Sequence, residues 1–123
     1  MIVVGVGARG AATTEELRAA VDTVLEQAGI AGTDVAILAT VARRAADHAV
    51  REMAREKGWR LSGWPAEELA RQRVPNPSVT VAGRAGTPSV AEAAALCAAG
   101  PRGRLIVTKR ILRNVTVAVA VAA

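Results

Sequence analysis

Ile2-Val3-Val4-Gly5-Val6-Gly7-Ala8-Arg9-Gly10 is the stretch whose reading decides the fold. Residues 2–4 are β-branched or apolar throughout, the pattern of a strand covered on both faces rather than one. Glycines follow at 5, 7 and 10, and Thr13-Thr14-Glu15-Glu16 then opens a helix. Thr13 is placed to cap the free amides while Glu16 reaches back, a capping box. Leu17, Val21, Val24, Leu25 and Ala28 keep helical spacing, and Gly29 supplies the stop. Strand, glycine-rich turn and helix in this order begin an α/β fold.

Working outward, residues 35–39 read as a second apolar strand. The spacing predicts a helix over 45–57 ended by Gly58, then a brief strand over 59–61. Pro65 suits the first position of a helix continued by Ala66-Glu67-Glu68-Leu69-Ala70. Pro75-Asn76-Pro77-Ser78 reads as a rigid turn, with a short extended segment over 79–81. Ser89-Val90-Ala91-Glu92 repeats the capping-box pattern at the head of a helix that Gly100-Pro101 ends. Residues 105–108 and 114–121 read as the two strands of a terminal hairpin. The expected architecture is a three-layer α/β/α sandwich on a mixed, mostly parallel sheet with a C-terminal hairpin, one domain over 1–123.

The composition limits what such a domain can do. The chain has 123 residues, 51% of them hydrophobic, with two Trp and neither Phe nor Tyr. Its core must therefore consist of thin layers of Val, Leu, Ile and Ala, and the alanine-rich 91–99 segment suits close helix-on-sheet packing. The net charge of +5 attracts polyanions. The cations form only short clusters, Arg43-Arg44, Arg102 with Arg104, and Lys109-Arg110. Single-strand binding uses aromatic platforms, which this chain can barely supply, so a small anionic ligand ranks above nucleic acid. One cysteine excludes an internal disulfide. The start lacks the basic and long apolar regions of a signal peptide, and the apolar tail over 115–123 falls short of the roughly 20 residues of a membrane span. A cytoplasmic protein with no membrane partner is expected.

Candidate site residues gather at the predicted carboxyl edge of the sheet. Gly5, Gly7 and Gly10 allow close backbone approach to an anion, with Arg9 as a charged fork beside them. A tight turn that binds nothing is the alternative. The GxGxxG spacing also fits a dinucleotide site, which wants an acid near the end of strand two. Thr40-Val41-Ala42-Arg43-Arg44 stands there instead. Arginines suit a 2′-phosphate, so NADP binding stays open as a third reading. Thr40 either ends its strand or contacts ligand. Thr87-Pro88-Ser89 offers a second helix start for an anion, Glu92 reads as the capping partner of Ser89, and Lys109 is either a surface or a pocket cation. His48 is the one histidine and Cys97 the one cysteine; their spacing gives no metal set, and Cys97 reads as a small buried apolar residue. The catalytic residues stay unassigned.

Several of these segments together resemble the family of CobE and the CbiG C-terminal domain. Gly5 to Gly10, Leu38-Ala39-Thr40, residues 62–70, Lys109 and the closing Val115-Thr116-Val117-Ala118-Val119-Ala120 follow the family's order. Thr87-Pro88-Ser89-Val90-Ala91-Glu92-Ala93-Ala94-Ala95 is close to its Val-Pro-Ser-Val-Ala-Glu-Ala-Ala-Ala. The resemblance implies cobalamin (corrin ring) biosynthesis with no cofactor of its own. It implies a precorrin or cobalt-precorrin as partner, other enzymes of the pathway as further partners, and a homodimer as one arrangement left open. The chain either binds and hands on the intermediate or, like CbiG, opens a ring-A lactone with release of acetaldehyde. The ligand-binding set is Gly5, Gly7, Arg9, Gly10, Thr40, Arg44, Pro88, Ser89 and Lys109. After Leu-Ala-Thr the family tends to run Ile-Asp-Leu-Lys-Ala-Asp-Glu, where this chain has Val41-Ala42-Arg43-Arg44-Ala45-Ala46-Asp47. Losing two acids while keeping the cation favours binding of a carboxylate-rich macrocycle over acid/base chemistry.

Overall fold

A computed structural model describes residues 1–72 and 89–122. β1 runs over Ile2–Ala8, so Gly5 and Gly7, expected in a turn after a strand over 2–4, lie within the strand instead, paired with Ala118 and Thr116 near the chain's end. α1 (Thr14–Ala28) follows with both halves of its capping box in place. The Thr13 amide donates to Glu16 Oε1 at 3.0 Å, and the Glu16 amide donates to Thr13 Oγ1 at 3.1 Å. Gly29 ends the helix at φ 70, a left-handed conformation that favours glycine. A 3-10 turn (Gly32–Asp34) leads into β2 (Val35–Val41), two residues longer than its apolar core suggests.

The helix expected over 45–57 is instead two helices, α2 (Ala42–Ala45) and α3 (His48–Lys57). The chain breaks at Ala46-Asp47, where Asp47 takes the N-cap position of α3 and its carboxylate receives Arg44 Nη1 at 3.1 Å. β3 (Arg60–Trp64) runs past the predicted 59–61, and α4 (Ala66–Ala70) starts after Pro65, which stands at the N-cap position. The expected turn at Pro75-Asn76-Pro77-Ser78 and the segment over 79–81 lie outside the described residues. α5 (Val90–Ala99), β4 (Arg104–Leu112) and β5 (Val115–Val121) complete the chain.

The five strands lie in the order β3-β2-β1-β5-β4. Pairing is parallel through β3, β2 and β1, and antiparallel from β1 to β5 and from β5 to β4. This is the predicted mixed sheet with its C-terminal hairpin. Alternation along each strand sends side chains to two helical layers. Val4, Val6, Leu38, Val117 and Val119 meet Leu17, Val21 and Val24 of α1 and Val50 and Met53 of α3. Val3, Ile37, Ala39 and Val41 meet the alanines of α5. Each fully buried Val or Leu contributes about 1.5–3 kcal/mol. Gly5 belongs to the α5 layer: a Cβ there would lie 2.1 Å from the Ala91 carbonyl oxygen, so only glycine lets the helix come this close.

Candidate functional site

β1 and β2 pair as far as Gly5 opposite Ala39, and both then continue without each other. β1 follows β5 to Ala8, and β2 follows β3 to Val41. The first residue pair past the ladder is tied by a side chain: buried Thr40 donates its hydroxyl to the Val6 carbonyl at 2.7 Å. The parting strands face a cleft of about 500 Å³ at their carboxyl ends. Open α/β sheets bind ligands at such an edge, where the neighbours of one strand run off in different directions.

Gly7, Val41, Thr116 and the head of α5, Ser89-Val90-Ala91, form the walls of the cleft. Arg9, Arg43, Arg44, Lys109 and Arg113 are among the residues that line it, and no Asp or Glu is among its described lining, although Arg44 is ion-paired with Asp47 just outside it. Arg44 is the most constrained. Its Nη2 donates to the Ala8 carbonyl at 3.1 Å and its Nη1 to Asp47, while its Nε is buried with no hydrogen-bond partner among the described residues. Arg9 is exposed at the rim, and its own backbone amide donates to the Asn114 carbonyl at 2.8 Å, joining the first turn to the terminal hairpin. Lys109 is half-buried on β4.

The structure thus gathers Gly7, Arg9, Arg44, Ser89 and Lys109 of the expected set around one cleft. Gly5, Gly10 and Thr40 do not line it. Gly5 is closed over by α5, Thr40 spends its hydroxyl on Val6, and Gly10 is an exposed turn residue at φ 63. Pro88 and Thr87 lie outside the described residues. The anion cradle expected where the glycine turn enters α1 is not free, because that helix start is occupied by its own Thr13–Glu16 box and carries Glu15 and Glu16. Positive charge gathers on the opposite side of β1, under the head of α5.

The second expected capping box is also absent. Ser89 is the N-cap of α5, but its hydroxyl makes no bond to the helix amides. Glu92, wholly buried, accepts the Lys109 amide at 3.0 Å through Oε2. Sequence reasoning missed Arg43 and Arg113 as cleft residues. Arg113 stands at φ 55 in the two-residue turn between β4 and β5, and the charged connection between two apolar strands was its one signal. His48 is exposed at the start of α3 and away from the cleft. Cys97 is partly exposed rather than buried, beside Trp64 and Gln72 in a separate hollow. Burial pushes its thiol up, partly offset by a hydrogen bond with Gln72. Among the described residues no three His, Cys, Asp or Glu side chains form a group able to hold a metal ion, and no helix is long and apolar enough to cross a membrane.

This arrangement matches known proteins over nearly its whole length. Residues 2–120 fit the family described as cobalamin synthesis G C-terminus. The chain belongs to that family. Among its relatives, Protein CobE of Sinorhizobium sp. is 32% identical over 121 residues, which covers 97% of this chain and 79% of that protein. The crystal structure of CobE, a protein from the cobalamin (vitamin B12) biosynthetic pathway, superposes at a TM-score of 0.85 with 28% identity, covering 98% of this chain and 92% of that one. The cobalamin biosynthesis protein chiG of Agrobacterium tumefaciens gives 0.78 at 31% identity, over 100% and 99% of the two chains. As a member of the CobE and CbiG C-terminal family, the chain is a cobalamin biosynthesis protein.

Proposed function

We propose that this CobE-like domain binds a corrinoid intermediate of the cobalamin pathway by its peripheral carboxylates, in the cleft where β1 and β2 part. One observation carries the reading: five cationic residues line a cleft whose described lining holds no carboxylate. Charge-assisted bonds to a ligand carboxylate are shorter and about twice as strong as neutral ones, and Arg9 at the exposed rim and half-buried Lys109 are placed to make them. Apolar Val41, Val90 and Ile111 give the face of a macrocycle something to pack against.

The chemistry of the cleft supports binding over hydrolysis. A hydrolase wants a group that takes a proton from water near the reacting carbonyl. Among the described lining residues there is neither an imidazole nor a carboxylate, and the nearby Glu92 carboxylate is wholly buried and accepts a backbone amide.

Spectroscopic titration with cobyrinic acid tests the proposal. Saturable binding at micromolar concentration is expected. Replacing Arg9 and Lys109 together by Ala weakens it about 100-fold if each cation supplies about 1.4 kcal/mol. No saturation, or an affinity that the double variant leaves unaltered, overturns the reading. Incubation with a lactone-bearing cobalt-precorrin is expected to release no acetaldehyde, and release would move the assignment to the hydrolase.

A further inference from the structure

β4 and β5 are paired from end to end, yet β4 has nine residues and β5 seven. One surplus residue falls between Leu105 and Val107 and the other between Val107 and Arg110. At the second bulge Thr108 and Lys109 together stand across from Ala118. Such a bulge leaves the local ladder short of a partner and reverses the alternation of side chains beyond it. Val107 packs in the core against the α1 layer. In a regular strand Arg110 would then face the other way. Instead its guanidinium also reaches the α1 side, donating to Gln27 at 3.0 Å. Lys109 and Ile111 are thereby presented to the cleft under α5.

The bulge is held from α5. Glu92, the third residue of that helix and wholly buried, accepts the Lys109 amide at 3.0 Å. A buried carboxylate persists only where it is bonded, and this one is bonded to the backbone of the very residue whose side chain enters the cleft. We infer that Glu92 is a positioning residue for the cleft: it pins the Lys109 backbone at the bulge and so fixes where the Lys109 cation meets an anionic ligand. The role of Lys109 rests on the binding reading above; the pinning of its backbone does not.

Four proteins test the inference: wild type, Glu92→Ala, Lys109→Ala, and the double variant. The probe is cobyrinic acid, and amide hydrogen exchange at residue 109 is followed in parallel. Glu92→Ala is expected to weaken binding about as much as Lys109→Ala, roughly tenfold, and the double variant no further than either alone, because both act through one cation. Glu92→Gln, which keeps a side-chain acceptor, restores both the slow exchange at 109 and most of the affinity. It is also the variant to use should Glu92→Ala not fold. Additive losses in folded proteins, or wild-type affinity in Glu92→Ala beside a weakened Lys109→Ala, overturn the inference. If wild type itself does not bind, the binding proposal falls, and the exchange data still decide whether Glu92 pins the backbone: unchanged exchange at 109 in Glu92→Ala says it does not.

Discussion

The two faces of the sheet solve the same packing problem with opposite side chains. On the α1 and α3 side, Leu17, Leu38, Met53 and a set of valines fill the space between layers. On the α5 side, alanines of the helix meet Ala39, Val3 and a bare Gly5, so the helix rests almost on the strand backbone. The first face carries its own capping box at the start of α1. The second ends in a cationic cleft at the head of α5. The difference teaches that the small residues do positioning work: they bring the start of α5 to the carboxyl edge of β1, and Ser89, Val90 and Ala91 become walls of the cleft because of it.

That comparison can be broken most directly at Gly5. Gly5→Val places atoms inside the Ala91 backbone, and because α5 cannot retreat without losing its layer, no cooperatively folding protein is expected. A thermal melt within a few degrees of wild type would contradict the close approach. The large-residue face yields differently. Leu38→Ala is expected to cost about 2–5 kcal/mol in chemical denaturation, yet to leave cobyrinic acid affinity unchanged in native buffer, since Leu38 faces away from the cleft. Loss of affinity in the folded variant would show the two faces to be coupled. Thr13→Ala removes one half of the α1 cap and is expected to cost about 1 kcal/mol, again without effect on binding. Gly7→Ala is the smallest change. Its Cβ would sit 3.4 Å from the Val90 Cβ, an ordinary contact, so melting barely moves while the new methyl narrows the cleft and weakens binding. Gly5 and Gly7 stand on the same face of one strand, and the pair separates packing from ligand access.

Much of this was legible in the sequence. The apolar start of β1, the Thr13–Glu16 box, the glycine stops at 29 and 58, and the presence of a terminal hairpin are local signals, but strand ends were not: β1 runs on through Gly5 and Gly7, and β4 continues past the expected 108 to Leu112. Long-range geometry was not legible. The GxGxxG spacing invites a helix-start phosphate site on the α1 side. Nothing in the spacing says that α5, some 80 residues later, closes over Gly5. Ser89 and Glu92 have capping-box spacing, but a bulge on β4 offers Glu92 a backbone amide that cannot be satisfied in its own ladder. The second helix divides at Asp47, beside an arginine, Arg44, that also reaches the Ala8 carbonyl 36 residues away, a contact the local sequence does not announce. Arg113 reaches the rim of the cleft from the hairpin turn, where it stands at a positive φ that composition does not announce.

Thr40 has a kinetic consequence. Its bond to Val6 braces the two strands at the point where they separate, so the opening between them is set before any ligand arrives. A braced opening loses little conformational freedom on filling, and the free energy of contact is not spent on ordering the backbone. On the binding proposal, encounter is governed by diffusion in the field of the surrounding arginines and Lys109, a field that salt screens beyond about 10 Å at 0.1 M. For an anionic ligand, added salt slows capture at the mouth far more than it hastens escape from contacts already made.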